Sequence, residues 1–526
     1  MLGFFFLPLI ELKPNRLASG LSFQLLELEG DLRYPFLFIL ALIAIGVALF
    51  PPSSTRGWVL VGLGNALLFL TLFLPAVAGQ TLIENASDLL EENVRISNPR
   101  LLPSGALVVG LVGSYIVLYG GLRDLIQAQA SQVARTIAAW GGVGLVALGF
   151  LTGQFDIYSV MVELAERGDQ LGQRTIEHVM FVGVSLVIGF VLGVGLGLWA
   201  HRDEHISPIV LYAVGIIQTI PSLALFGVLL EPLARLGSQR ALSVGLFFVI
   251  SLAVAAIFVF AYRRFAEASE RIRQPLLIIS ALAAAVPLAL FTVVLASFLF
   301  RVSLAAFTSD AAFLETLRSV MLIALLIGFA LWISSRYLKG TSKRVLRYGS
   351  WLGYGVFALA LVIALIQGSN QFLGNVGPNL TMRNLGVSGI GTAPAVIALT
   401  LYSLLPLVRN TYAGLNNVDA AIVDSGRGMG MNAGQRFFQI ELPIALPVIM
   451  AGVRNAAIAL VGIGTVATII GAGGLGDFII GGVVNTSIDQ ILLGAVPAVL
   501  LAVALDAGLR GLERLMVSPG IRQLED

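Results

Sequence analysis

Residues 201–205 hold the side-chain types that most often bind metal ions in proteins. They read HRDEH, which fits the pattern H-x-x-E-H of one group of zinc proteases. The chain has three histidines and no cysteine, so a zinc site would have few ligands to draw on. The remaining histidine, His178, is expected at the opposite end of the preceding apolar run, and a third ligand would have to be a carboxylate. We therefore predict no metal site.

A second pattern is made by four glycines, Gly471, Gly473, Gly474 and Gly476, in the run IGAGGLGD. Three of them satisfy G-x-G-x-x-G, the spacing of dinucleotide-binding loops. That motif needs a strand before it and an acidic residue about twenty positions later, and neither is predicted here. The glycines are more simply interpreted as a tight turn at the outer membrane face.

Hydrolysis of ATP is excluded by the lysines. A phosphate-binding loop ends in Gly-Lys-Ser/Thr. The three lysines, Lys13, Lys339 and Lys343, follow leucine, leucine and serine. The chain is therefore not expected to be an enzyme or to hold a cofactor.

Composition indicates the class of protein. Of 526 residues, 57% are hydrophobic and 12% are charged, about half the charged fraction of an average soluble domain. Charged residues are gathered between long apolar runs, which predicts an all-α integral membrane protein rather than a β-barrel. A net charge of +2 gives no indication of nucleic-acid binding. The apolar start, MLGFFFLPLIEL, lacks the basic residues of a signal peptide and could be the remnant of a first span.

The apolar runs predict about thirteen membrane spans. The predicted spans are 36–50, 58–77, 104–121, 137–152, 179–200, 207–230, 241–261, 275–300, 317–335, 351–367, 392–408, 447–470 and 491–509. Arginine and lysine concentrate in the polar stretches 263–273, 336–347, 409–436 and 510–522, all on one side in this count. Because positive charge marks cytoplasmic loops, the loop that precedes the twelfth span is predicted to face the cytoplasm.

The predicted span 207–230 contains polar side chains and a helix breaker, namely Gln218, Thr219, Pro221 and Ser222. In lipid, a backbone group freed by proline must find a partner in protein or in a water-filled cavity, and interrupted helices often line transport sites. These four residues are predicted to lie on a translocation pathway, with Gln218 and Ser222 on one helix face. The alternative is a proline kink buried between helices.

The polar loop 410–446 has features of a surface element that a partner could push. Residues 419–427 place an acid early and a base late, which suits a short helix. Gly428 and Gly430 allow a turn. Apolar residues from Phe437 to Leu442 are expected to anchor the return to the membrane, and Pro443 restarts the helix. The alternative is a plain connecting loop.

This loop resembles the cytoplasmic coupling loop of ABC importer permeases, whose pattern is E-A-A, three residues, G, nine residues, I, one residue, L-P. The matching positions are Asp424, Ser425, Gly426, Gly430, Ile440, Leu442 and Pro443. The first triplet departs from Glu-Ala-Ala but keeps an acid. We use the name coupling loop for 410–446 from here on.

Three further segments resemble the osmoprotectant branch of that family, which carries glycine betaine, choline and related solutes. They are 215–223, which reads GIIQTIPSL, 395–412, and the glycine run 470–477. The resemblance implies a type I importer permease core made of two parts, 175–235 and 385–526. An N-terminal four-span block, 1–170, and an inserted four-span block, 236–384, would be additions to that core.

The resemblance also implies partners and a place in the cell. Two permease copies, most simply a homodimer, would form one pathway in the bacterial inner membrane. A dimer of cytoplasmic ATPase subunits would dock on 419–436, and an extracytoplasmic binding protein would deliver the solute. Two alternatives stay open, a permease of the same fold for amino acids or another small solute, and an ion-coupled secondary transporter.

Overall fold

The structure is a computed structural model. It describes residues 7–13, 20–24, 33–84, 100–265, 312–337, 341–374 and 381–516, together with scattered positions between 279 and 302. Helices dominate these ranges because a chain in lipid must satisfy its backbone N–H and C=O groups internally.

Ten of the helices that the structure describes in full begin before Thr392. They are α1 (Arg33–Ala48), α2 (Ser54–Glu84), α3 (Gly105–Gln127), α4 (Gln132–Leu151), α5 (Ser159–Arg202), α6 (Ser207–Thr219), α7 (Ser222–Ser238), α8 (Ala241–Phe265), α9 (Ala312–Tyr337) and α10 (Thr341–Gly374).

The remaining helices build the coupling loop and its surroundings. They are α11 (Thr392–Asn416), α12 (Ala420–Gly428), α13 (Ala433–Arg436), a π-helical turn (Phe437–Glu441), α14 (Leu442–Val466), a 3₁₀ turn (Ala467–Ile470), α15 (Gly476–Val484) and α16 (Ile488–Met516).

Three short strands form an antiparallel sheet in the order β2-β1-β3. The strands are β1 (Pro8–Lys13), β2 (Leu21–Gln24) and β3 (Arg100–Pro103), and Glu11 pairs with both Ser22 and Leu102. Leu9, Ile10 and Leu12 are buried. The suggestion that the apolar start is the remnant of a first span is wrong for the described residues 8–13, since six residues that pair with two neighbours make a strand.

The chain divides into two compact units, and the first consists of Met1–Gly168 with Gly482–Leu493. Its helices α2 and α3 approach closely, because a Cβ on Gly64 would lie only 2.7 Å from the backbone N of Leu118. Arg56 pairs with the buried Asp124 across the same two helices, with 2.6 Å between Nε and Oδ2.

A buried polar cluster ties the far-separated pieces of the first unit together. Arg100 on β3 pairs with the fully buried Glu163 at 2.8 Å and also with Glu166. The buried Ser159 hydroxyl donates to Asp489, at 2.5 Å, across 330 positions of sequence. Charges can stay buried here because each is matched by an opposite charge or a hydrogen-bond donor.

The second unit consists of Asp169–Gly481 with Gly494–Asp526. Its apolar core draws on α5, α7, α11 and α14, with Phe181, Phe226, Leu399 and Leu460 fully buried. The range of α5 holds two helices separated by a kink, because Arg167 inside it has non-helical backbone angles. Only its later part, predicted as the span 179–200, needs to cross the bilayer.

The count of thirteen spans is not confirmed. Among the described residues, nine helices are long and apolar enough to cross a membrane. The number is ten if the two helices α6 and α7, which meet at a bend, are counted together as one span. The span predicted at 36–50 corresponds to α1, whose described apolar part, Ile39–Ala48, is short for a bilayer. Half of the positions in the span predicted at 275–300 lie outside the described residues.

Candidate functional site

The coupling loop opens with the short helix that the charge pattern predicts. The Asp419 carboxylate caps α12 by accepting from the backbone N–H of Ala421 at 2.8 Å. Asp424 pairs with Arg427 at 2.9 Å on the exposed face. The Ser425 hydroxyl donates a hydrogen bond to the carbonyl of Ala421. A cap of this kind stabilises a helix by about 1 kcal/mol, which matters in a helix too short to persist alone.

A tight turn follows α12, and Gly430 is its hinge. Its φ is +79°, a backbone conformation that side chains bearing a Cβ rarely adopt, although a Cβ there would meet nothing within 4 Å. The turn leads to Asn432, which forms a capping box with Gln435 at the start of α13. Gly428 was expected to share the turning role, but it is the last residue of α12 and lacks a positive φ.

The residues of the family pattern come together because the loop folds back on itself. Gly426 is buried, and a Cβ there would lie 2.7 Å from Cδ1 of Ile440. The sequence spacing between Gly426 and Ile440 therefore corresponds to a contact between α12 and the π-helical turn. Arg436 braces the same turn through Glu441 at 2.9 Å.

An apolar cluster lies beneath the loop. Leu415, Val418, Ala445 and Ile449 are buried in it, and partly buried residues pack around them, namely Val194, Leu198, Val423, Phe437, Leu442 and Ile444. Phe437 and Leu442 thus pack into this cluster, and their role as anchors at the membrane stays a prediction. Phe438 does not pack into the cluster, since it is 66% exposed.

The limits of the loop are narrower than 410–446. Helix α11 continues to Asn416, and α14 begins at Leu442 with Pro443 in its first turn, so 417–441 lies between the two long helices. Hydropathy marks where a helix leaves the apolar layer, whereas backbone hydrogen bonds carry the helix past that point. Pro447 lies inside α14 rather than at its start.

The predicted span 207–230 is a broken helix. Helices α6 and α7 meet at a bend of 100° across Ile220 and Pro221. The Ile220 carbonyl at the break accepts a hydrogen bond from the hydroxyl of Tyr402 on α11. A protein side chain therefore satisfies a backbone carbonyl that the break in the helix leaves free, as the membrane environment requires.

The bend separates the polar residues that were expected on one helix face. Gln218 and Thr219 end α6, whereas Ser222 begins α7, so the shared face of Gln218 and Ser222 does not exist. Gln218 and Thr219 are exposed in the single chain and Ser222 is half-buried. The Thr219 hydroxyl donates to the carbonyl of Ile216 within α6.

The glycine run forms the predicted tight turn. Gly471, Gly473 and Gly474 all have positive φ, near +80°. Gly476 has no room for a side chain, because a Cβ there would lie 1.9 Å from the carbonyl oxygen of Thr465. Such a backbone path is open to glycine alone.

Charged residues of α5 hold this turn from one side. Glu177 accepts from the backbone N–H of Gly474 at 3.2 Å, and Arg174 pairs with both Glu177 and Asp477. The buried His178 ring lies within hydrogen-bonding distance of the carbonyl of Val461. The turn and the outer half of α5 thus form one hydrogen-bonded structure.

The residues of the HRDEH stretch each have a place in the fold. His201 bonds Asn416, Arg202 lies over the ring of Phe437, and Asp203 accepts from the backbone N–H of His205. Among the described residues, no group of three or more potential ligands could hold a metal ion.

Sequence reasoning missed Tyr402, Arg174 and Glu177. A tyrosine inside the apolar run 395–408 was a usable signal, since a hydroxyl in lipid needs a partner. Arg174 and Glu177 are three positions apart and pair with each other, but their contacts with Asp477 and Gly474 carried no signal, because those partners lie about 300 positions away.

The fold and these elements define a polytopic membrane permease, and comparison with known proteins agrees. Residues 321–518 match the family described as binding-protein-dependent transport system inner membrane component. Residues 1–161 match the family described as ABC transporter permease YehY, N-terminal domain.

Individual permeases are also similar to part of this chain. It is 38% identical over 167 residues to the choline transport system permease protein OpuBB of Bacillus subtilis, covering 30% of this chain and 77% of the relative. It is 36% identical over 207 residues to the osmoprotectant import permease protein OsmW of Salmonella typhimurium, covering 39% and 92%. A third, the glycine betaine/carnitine/choline transport system permease protein OpuCB of B. subtilis, is 36% identical over 181 residues, covering 32% and 83%.

The chain belongs to the family of binding-protein-dependent transport system inner membrane components. It is a multi-pass inner-membrane protein, and the predicted class, an α-helical membrane protein with a type I ABC importer permease core, is confirmed. The family match begins at residue 321, inside the block 236–384 that was predicted to be inserted. The division of the chain into core and added blocks stays a prediction.

Proposed function

We propose that this chain is the transmembrane subunit of an ATP-driven importer, and that its coupling loop receives the movement of a separate ATPase. The observation that carries the proposal is the loop itself. Three large apolar side chains are exposed in this polar loop. Their exposed fractions are 44% for Ile422, 74% for Met429 and 66% for Phe438. Exposed apolar groups on a polar loop outside the membrane are typical of a surface that another protein covers.

The roles of the loop residues follow from their contacts. Asp424, Ser425 and Gly426 belong to the helix that would dock, and Gly430 sets its angle to the return segment. Ile440 presses on Gly426, while Leu442 and Pro443 begin the helix that re-enters the membrane. A push on α12 would therefore reach α14 through a packed contact rather than through a slack loop.

For the solute we propose an osmoprotectant of the glycine betaine or choline type. The support is the similarity to relatives whose names specify choline, glycine betaine, carnitine or osmoprotectants. Such solutes carry a fixed quaternary ammonium charge and cannot cross lipid unaided.

For the pathway we propose the break between α6 and α7, with Gln218, Thr219, Pro221 and Ser222. The 100° bend places the exposed Gln218 and Thr219 at a helix end inside the predicted span. A second copy of this permease would complete the pathway, because this chain offers one coupling loop for two ATPase subunits. Any nucleotide and Mg²⁺ would be held by the ATPase, and an extracytoplasmic binding protein would supply the solute.

Reconstitution tests the proposal. The chain is purified with a candidate ATPase and a candidate binding protein from the same organism and placed in liposomes with ATP on the ATPase side. Uptake of labelled glycine betaine or choline that requires both ATP and binding protein is the expected result.

Uptake of an amino acid such as histidine instead would change the substrate class and keep the importer assignment. Uptake driven by an ion gradient without ATP would overturn the importer assignment.

A further inference from the structure

The basic end of α5 touches the coupling loop where the loop begins. His201 Nδ1 lies 2.5 Å from the side-chain oxygen of Asn416. An amide oxygen only accepts hydrogen bonds, so the imidazole nitrogen donates. Asn416 is the last residue of α11 and stands three positions before Asp419, the cap of α12. The contact therefore holds the entry of the loop.

Arg202, the residue after His201, contacts the coupling loop near the end of the loop. The Arg202 guanidinium lies 5.7 Å from the centre of the Phe437 ring. Phe437 opens the π-helical turn that leads into α14, and its ring joins the apolar cluster beneath the loop. A guanidinium over an aromatic face is attracted by the negative charge of the ring face, and the contact resists displacement of the ring.

Helix α5 packs closely against α11. A Cβ on Gly193 would lie 2.5 Å from Cβ of Leu407, and one on Gly197 would lie 2.6 Å from Cβ of Thr411. Small residues at four-residue spacing let two membrane helices approach until their backbones are in contact. Since neither helix can rotate past the other without collision, the pair moves together.

We propose that His201 and Arg202 are positioning residues for coupling. They clamp the entry and the exit of the coupling loop to one helix end, so that displacement of the loop is passed to the α5–α11 pair as well as to α14. The inference rests on the proposed function, because it assigns the clamp to transmission of movement from an ATPase.

The first test replaces Arg202 in the reconstituted complex. Arg202→Gln removes the cation. It should lower the ratio of ATPase activity with the loaded binding protein to basal ATPase activity by about two- to fivefold, which is the scale of one exposed cation–aromatic contact. Solute uptake per ATP should fall in parallel. Arg202→Lys keeps a cation in place and should restore at least half of the ratio.

Arg235→Gln is the matched control. Arg235 is an exposed arginine on α7, paired with Glu231 and remote in sequence from the loop. Its loss should leave the ratio as in the wild type. Phe437→Leu tests the same contact from the other side and keeps an apolar side chain in the cluster. An unchanged ratio in both Arg202→Gln and Phe437→Leu would overturn the inference.

A second measurement needs neither ATPase nor solute. Trypsin cuts after Arg427 and Arg436, both within the loop, so cleavage of the purified permease reports how firmly the loop is held. Faster cleavage is expected in Arg202→Gln and in His201→Leu, and wild-type cleavage in Arg235→Gln. Equal rates in all four proteins would contradict the clamp. Failure of the wild-type complex to couple ATP to uptake would count against the proposed function alone.

Discussion

Single residues in this protein act mainly by allowing backbone paths that other residues forbid. Gly430 turns the chain between α12 and α13 at a φ of +79°, and Gly426 leaves the space that Ile440 fills. Gly430 is therefore required for its backbone conformation, and Gly426 for the space that its missing side chain leaves.

The first prediction concerns Gly430. Gly430→Leu should stay in the membrane and lose the stimulation of ATPase activity by the loaded binding protein, because leucine at this φ costs about 1–2 kcal/mol and shifts the turn. The assay is ATPase activity of the assembled complex.

Two further variants make that test specific. Gly430→Asn should retain more stimulation than leucine, since asparagine tolerates the left-handed region. Gly428→Leu should stay close to the wild type, because no positive φ is required there. Normal stimulation in Gly430→Leu would remove the coupling role from this turn.

The second prediction concerns Gln218. Gln218→Leu should reduce solute uptake about five- to thirtyfold, the equivalent of roughly 1–2 kcal/mol, if the amide contacts the passing solute or its water. Uptake is measured at equal expression, with assembly checked by co-purification of the ATPase. A packing role would tolerate leucine, so wild-type uptake would exclude Gln218 from the pathway.

Helices are the next scale, and the break between α6 and α7 depends on a third helix. The Tyr402 hydroxyl of α11 satisfies the Ile220 carbonyl at the bend. Helix α11 therefore contributes to the shape of the proposed pathway as well as to the start of the coupling loop. The same helix is the close-packed partner of α5.

The third prediction tests that support. Tyr402→Phe removes only a hydroxyl and leaves the carbonyl of Ile220 without its donor, which should destabilise the protein by about 1–3 kcal/mol. The measurement is thermal unfolding in detergent, alongside solute uptake. Tyr412→Phe, a similar change on the same helix, serves as the control, and equal melting of the two variants would show that the bond contributes little.

At the scale of the whole molecule, the orientation in the bilayer decides which partner meets which loop. The distribution of arginine and lysine predicts that the coupling loop faces the cytoplasm. Among the described residues, nine helices, or ten with the bent pair, are candidates to cross the membrane. Orientation is thus a prediction from charge that labelling can check directly.

The fourth prediction uses the absence of cysteine from the sequence, which makes any introduced cysteine the single reactive thiol. Cysteine at Ser342 or Asn432 should react with a membrane-impermeant maleimide only from the cytoplasm, and cysteine at Asp169 only from outside. Labelling of the Ser342 variant from outside would contradict the four-span block predicted at 236–384.

The sequence by itself determined the class of protein, the helical fold and the coupling loop. Long apolar runs without strict alternation indicate helices in lipid rather than a barrel, and the loop pattern from Asp424 to Pro443 lies within one short segment. Both signals are local, so they can be recognised without knowing how the chain packs.

Only the tertiary structure decided how the proposed sites are held. The 100° bend separated Gln218 from Ser222, a strand replaced the suggested span at 8–13, and Tyr402 proved to support the break. His201 found Asn416 across 215 positions. The physical reason is common to these cases, because such contacts join residues far apart in sequence, and local periodicity contains no information about which distant groups will meet.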